Sequence, residues 1–93
     1  MSWSELDSLR AAMDVLNRRL VDVLHERARL CRRIGEAKRG AGQPGVDPAR
    51  ERAMLASLLA LPAADGFPPA ALAAILQAVF VASREVVART VDR

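Results

Sequence analysis

The fold of this chain is decided by a stretch that runs from Leu6 to Arg39 and reads LDSLRAAMDVLNRRLVDVLHERARLCRRIGEAKR. It contains no proline and a single glycine, Gly35, so little in it interrupts a helix. Apolar residues recur at spacings of three and four, which is the period of one helix face. They are Leu6, Leu9, Met13, Leu16, Leu20, Val23, Leu30, Ile34 and Ala37. The stretch therefore predicts one very long amphipathic helix.

The apolar face has one gap, at Arg27, where the next apolar residue is due after Val23. A guanidinium there is costly unless an anion meets it. Lys38 follows eleven residues later, about three helical turns, so both cations should project from nearly the same face. They predict a small-anion site, although both side chains can equally reach solvent or pair across a dimer. Arg10, beside the same face, fits a solvated surface arginine.

Two breaks divide the rest of the chain into two shorter helices. After a glycine-rich segment, Asp47 followed by Pro48 has the form of a helix start, with an N-cap and a proline at the first helical position. It predicts a helix over about 48–61. A proline-rich break then precedes a third helix over about 69–89, and no segment alternates as a strand would. The predicted fold class is all-α.

The first helix is too long to be covered by the other two. With Ser4 as its N-cap and its end near Arg39, it would be roughly 50 Å long at about 1.5 Å per residue. A compact domain of this size has a radius of gyration of only about 12 Å. Residues 1–93 are therefore predicted to form a single domain that works as an obligate oligomer, most simply a two-fold homodimer.

Composition limits the function. The chain has 93 residues, 52% of them hydrophobic and 27% charged, as expected for an ordered soluble domain. Its net charge of +3 suits a small anionic ligand better than nucleic acid, which needs a more concentrated basic face. Cys31 is the single cysteine, which excludes an intrachain disulfide, and is expected to be buried. We expect no membrane segment, no signal peptide and a cytoplasmic location.

The remaining polar residues have structural explanations. Glu51 suits the first turn of its helix, or pairs with the neighbouring Arg50 or Arg52. Ser83, on an apolar helix face, is expected to donate to a carbonyl one turn earlier. His25 is a lone, exposed histidine without a second ligand, so no metal is predicted. No nucleophile–base pair is present, which fits a binding protein, a dimerisation module or an enzyme that acts by positioning and electrostatics.

Five short segments, taken in order and at their spacing, resemble one known family. They are Leu9-Arg10, Leu24-His25-Glu26-Arg27, Ile34-Gly35-Glu36-Ala37-Lys38, Asp47-Pro48-Ala49-Arg50-Glu51-Arg52 and Ala82-Ser83-Arg84. The family is the all-helical chorismate mutases, which are built as an intertwined dimer. The resemblance implies three helices per chain, an intertwined homodimer, and no cofactor or metal.

The resemblance also implies the reaction and the residues that carry it. Chorismate would undergo a Claisen rearrangement to prephenate, a step of the shikimate pathway toward phenylalanine and tyrosine. Arg27 and, from the other subunit, Arg10 would bind the two carboxylates of chorismate. Lys38 would bind a carboxylate and the ether oxygen of the breaking bond.

The remaining roles concern the ring hydroxyl and the third helix. Asp47 and Glu51 would hold the ring hydroxyl, Glu51 being the stronger candidate, and Ser83 would line the pocket near a carboxylate. Val87 departs from the family, which usually has Gln or Glu there as a second donor to the ether oxygen. The alternatives are therefore a relative of chorismate as substrate (4-amino-4-deoxychorismate or isochorismate), a partner enzyme that completes the site, or a non-catalytic dimer that binds a dicarboxylate.

Overall fold

The computed structural model describes residues 3–62 and 65–92, and these form helices joined by short loops. Helix α1 spans Trp3–Ala41, α2 spans Pro48–Leu59 and α3 spans Pro69–Val91. The described residues contain no strand. The predicted all-α fold with a very long first helix is confirmed.

The predicted helix ends need correction: α1 and α3 each continue two residues further than predicted, to Ala41 and Val91, and two other ends also differ. Ser4 is not the N-cap of α1, because it lies inside the helix, where its carbonyl accepts a hydrogen bond from the Ser8 hydroxyl at 2.8 Å. Nothing between Trp3 and Ser8 stops a helix from extending toward the N-terminus. Helix α2 ends at Leu59, two residues before the predicted end, because the Pro62 that follows disfavours helix in the residue before it. The predicted break after α2 includes residues 63 and 64, which lie outside the described residues.

The chain divides into two compact units, one ending at Leu30 and the other beginning at Cys31. In the first unit, α1 presents its apolar face to solvent. The side chains of Leu9, Met13, Leu16, Leu20 and Val23 are between 51% and 59% exposed. An apolar surface of this extent, repeated at helical spacing on one face, is typical of an interaction surface.

The second unit contains the buried core. Cys31, on α1, packs into a core that also includes Phe80 and Val87 of α3, each between 5% and 8% exposed. The burial of Cys31 confirms the prediction. Helix α2 packs on α3 through half-buried apolar side chains, while Ile75 of α3 is 46% exposed in the single chain.

Helices α1 and α3 lie close together at Gly35. A methyl group added there would lie 2.6 Å from Cβ of Thr90 and 3.0 Å from the Val87 carbonyl oxygen. Thr90 is buried, and its hydroxyl donates to the carbonyl of Val86 at 2.8 Å. Arg39 donates from Nη1 to the Thr90 carbonyl at 3.4 Å, close to the end of α3. The absence of a side chain at position 35 thus sets the distance between the two helices.

We expect Gly35→Ala to lower the free energy of unfolding by about 1–3 kcal/mol, because overpacking forces the two helices apart. Gly40→Ala is the matched control on the same helix, since nothing lies within 4 Å of a methyl group there. Alanine should stabilise the helix at position 40 by up to about 1 kcal/mol. Denaturant unfolding at equal protein concentrations measures both. Equal stability of the two variants would contradict the close packing at Gly35.

By length and composition alone, α3 could cross a membrane. The sequence predicts no membrane segment, and the length and composition of one helix are only weak evidence against that prediction. The helix carries Arg84 and Glu85, and its Phe80, Val87 and Thr90 are buried against the rest of the second unit. Core helices of soluble proteins pass the same test of length and composition.

Candidate active site

Lys38 lies near the C-terminal end of α1 and is half buried. Its Nζ donates to the carbonyl of Gly45 at 3.3 Å, in the loop that leads to α2. This contact directs the ammonium group toward the start of α2 rather than into bulk solvent.

Asp47 caps α2, as predicted. Its Oδ1 accepts from the backbone N–H of Arg50 at 3.1 Å, and Pro48 occupies the first helical position. Asp47 also lines a cavity of about 470 Å³ together with Lys38 and Arg52. The structure therefore brings Lys38 and Asp47 together.

Other residues also line this cavity, and the sequence pattern did not identify them as site residues. Two cations, Lys38 and Arg52, face it against one carboxylate, that of Asp47, which suits an anionic ligand. Arg52 follows Pro48 by four residues, so the helical period could have placed it on this side of α2. The loop contributes Gln43, Pro44 and Val46.

Glu51 has a partner that its neighbours in sequence do not indicate. Arg84 of α3 places its Nε 3.3 Å from Oε2 of Glu51, with the two side chains 44% and 22% exposed. The expected pairing with Arg50 or Arg52 is wrong, because adjacent residues on a helix do not face each other. Glu51 thus joins α2 to α3 and is absent from the walls of the cavity that Lys38 and Asp47 line.

Ser83 and Val87 lie one turn apart on α3. The Ser83 hydroxyl donates to the Val79 carbonyl at 2.7 Å, which confirms the expected bond, and the residue is half buried. Val87 is 8% exposed and carries no hydrogen-bond donor in its side chain. At this turn of α3 a half-buried hydroxyl is followed, four residues later, by a buried side chain that cannot donate a hydrogen bond.

Arg10 and Arg27 belong to the first unit. Arg10 is exposed, whereas Arg27, in the gap of the apolar face, is half buried. His25 is exposed, as expected. In the part of the chain that the structure describes, no three side chains of His, Cys, Asp or Glu lie close enough together to hold a metal ion.

The chain is similar to known proteins over most of its length. The profile of the chorismate mutase type II family matches residues 9–88. The T-protein of Enterobacter agglomerans is 37% identical over 76 residues, which are 82% of this chain and 20% of that protein. A bifunctional chorismate mutase/prephenate dehydratase of Aquifex aeolicus (strain VF5) is 40% identical over 57 residues, 61% of this chain and 16% of that protein. The chain thus spans a fifth or less of the length of these curated relatives.

A solved structure covers almost the same extent as this chain. Chorismate mutase (form II) from Thermus thermophilus superposes with a TM-score of 0.85 and is 34% identical, over 91% of this chain and 96% of that one. The family match extends from the first half of α1 to the turn of α3 that carries Ser83 and Val87. The family resemblance and the all-helical fold predicted from the sequence are both confirmed: this chain belongs to the chorismate mutase type II family.

Proposed function

We propose that this chain, as a single domain, catalyses the rearrangement of chorismate to prephenate, the step toward phenylalanine and tyrosine. One observation carries the proposal: a member of the chorismate mutase type II family has its half-buried Lys38 at a cavity, beside Asp47. A pericyclic rearrangement moves no proton, so the site needs no general acid, base, metal or cofactor.

The first task of the site is to fold the flexible enolpyruvyl arm over the ring. Arg27 of one subunit and Arg10 of the other bind the two carboxylates of chorismate. A guanidinium matches a carboxylate with two parallel hydrogen bonds. Ser83 lies near one carboxylate. Holding the reacting carbons in this geometry removes part of the entropic barrier.

The second task is to stabilise charge. As the ether bond lengthens, its oxygen gains negative charge, and a fixed ammonium group binds the transition state better than the ground state. Lys38 has this role in the proposal, and its half-buried position strengthens the interaction. Glu51, with Asp47, holds the ring hydroxyl.

The proposal requires a homodimer. It is supported by the apolar face of α1, whose exposed Leu9, Met13, Leu16, Leu20 and Val23 would be covered by a second copy. In such an intertwined dimer each site takes Arg27 and Lys38 from one chain and Arg10 from the other. A partner enzyme that completes the site would bind to this homodimer.

We also propose that the dimer is soluble and cytoplasmic, with α3 as a core helix. Its contacts support this placement: α3 packs on α2, and Arg84 forms an ion pair with Glu51. A helix lying in lipid would leave such a charged pair poorly solvated.

Val87 favours a second candidate, a chorismate relative as the natural substrate, because the side chain cannot donate to the ether oxygen. We expect Val87→Gln to raise the kcat for chorismate about tenfold, since it adds a donor where charge develops. Steady-state kinetics on folded protein measures the effect. The amide would cost about 1–3 kcal/mol of stability if it finds no partner.

Val87→Leu is the control, because it changes volume without adding a donor. Its kcat should stay within about twofold of the parent. An unchanged kcat for Val87→Gln would mean that the lack of a donor at position 87 does not limit the reaction.

The proposed function is tested by offering chorismate, 4-amino-4-deoxychorismate and isochorismate side by side, with products identified by chromatography. The proposal predicts prephenate from chorismate at the highest kcat/KM. A higher kcat/KM for either relative would reassign the substrate, and no conversion of any of the three would refute the enzymatic proposal.

A further inference from the structure

We propose that Arg84 is a positioning residue, which holds the Glu51 carboxylate in the orientation that accepts the ring hydroxyl of the substrate. The role rests on the proposed function, in which Glu51 holds the ring hydroxyl. It assigns to the third helix a part in substrate recognition beyond the positions of Ser83 and Val87.

The geometry of the pair carries the inference. Nε of Arg84 lies 3.3 Å from Oε2 of Glu51, and the glutamate is the less exposed partner, at 22% against 44%. A carboxylate offers about four lone-pair positions, so a contact with one guanidinium nitrogen leaves acceptor positions for a ligand hydroxyl. The pair therefore fixes Glu51 without using up its capacity to accept.

Helix α2 supplies little else to hold this carboxylate in place. All of α2 is described, and none of its residues is buried. Its apolar contacts come from half-buried side chains, those of Met54, Leu55 and Leu58. An unpaired glutamate would sample several rotamers, and a hydrogen bond to the substrate would have to restrict them. The ion pair to α3 restricts them in advance.

Neighbours on α2 cannot take over this role. Arg50 and Arg52 flank Glu51 in sequence, but adjacent helical positions point in different directions. Arg52 lines the cavity beside Lys38 instead. The cation that faces Glu51 comes from the other helix, which makes the orientation of the carboxylate depend on how α2 packs against α3.

The expected kinetic effect is on binding. A hydrogen bond to the ring hydroxyl forms in the ground state and in the transition state alike, so its loss raises KM and leaves kcat nearly unchanged. For a half-exposed ion pair we expect Arg84→Gln to raise KM roughly two- to fivefold. Arg84→Lys keeps a cation on a flexible stem and should recover part of the loss.

A double-mutant cycle separates positioning from a structural role. In a Glu51→Ala background, Arg84→Gln should have no further effect on KM, because the group it orients is gone. Arg89→Gln, which removes the same charge from the same helix, is the matched control and should leave KM unchanged. A KM loss that persists without Glu51 would overturn the inference.

The deciding measurement is calorimetric binding of two bicyclic ether dicarboxylates that mimic the transition state, one with the ring hydroxyl and one without it. The parent protein should prefer the hydroxylated compound, and Arg84→Gln should lose most of that preference. If Arg84→Gln keeps the full preference, the positioning role fails while the proposed function stands. If the parent binds neither compound, the proposed function fails and the role of Arg84 fails with it.

Discussion

Replacing Lys38 by alanine is expected to lower kcat for chorismate by about 10²–10³-fold, the usual cost of removing one donor to a developing oxyanion. In the parent protein the ammonium group of Lys38 already lines the cavity beside Asp47. In the variant, water would have to reorient to stabilise the charge that develops on the ether oxygen, and this reorganisation costs free energy. Steady-state kinetics from the absorbance of the enolpyruvyl group measures the loss.

The fold should survive this change. The Nζ of Lys38 donates one hydrogen bond to the Gly45 carbonyl, and losing it costs about 1 kcal/mol. Arg33→Ala removes an exposed cation from the same helix and serves as the control, with turnover expected to stay unchanged. A Lys38→Ala protein that unfolds cooperatively and turns chorismate over at a near-normal rate would refute the role of Lys38.

The second large effect is a recovery of activity on mixing two inactive variants. Arg10→Ala and Lys38→Ala homodimers should each be nearly inactive. In a heterodimer of the two, one site combines Lys38 of the first chain with Arg10 of the second and is intact. Purified heterodimers carrying different tags should therefore show roughly half the parent activity per dimer, because one of two symmetric sites is restored.

The control for this experiment carries the same number of substitutions. A chain with both Arg10→Ala and Lys38→Ala, paired with a parent chain, leaves each of the two sites with one missing cation. Such heterodimers should stay inactive. No recovery in the first heterodimer, despite a stable dimer, would mean that each site is built from a single chain.

Local signals predicted much of the fold. The spacing of Leu9, Met13 and Leu16 identified α1, and Asp47 followed by Pro48 identified the first turn of α2, because both signals depend on residues within a turn or two. The assignment of Ser4 as N-cap failed for the same reason that helix ends are difficult in general: several residues near the terminus tolerate helix equally well.

The candidate site was harder to predict from the sequence than the fold was. Lys38 stood out as a cation on an apolar face, and its place at a cavity with Asp47 accords with that signal. The Glu51–Arg84 pair did not stand out, because its members are 33 residues apart and meet only when α2 packs on α3. The neighbours of Glu51 in sequence gave a plausible but wrong partner.

The central claim is that this chain converts chorismate to prephenate by holding both carboxylates and stabilising the ether oxygen. The most direct test is to follow the loss of enolpyruvyl absorbance with purified protein and to confirm prephenate by chromatography. The account predicts saturable conversion by the parent protein and none above the uncatalysed rate for a folded Arg27→Ala variant. A folded dimer without activity, or an Arg27→Ala variant as fast as the parent, would contradict it.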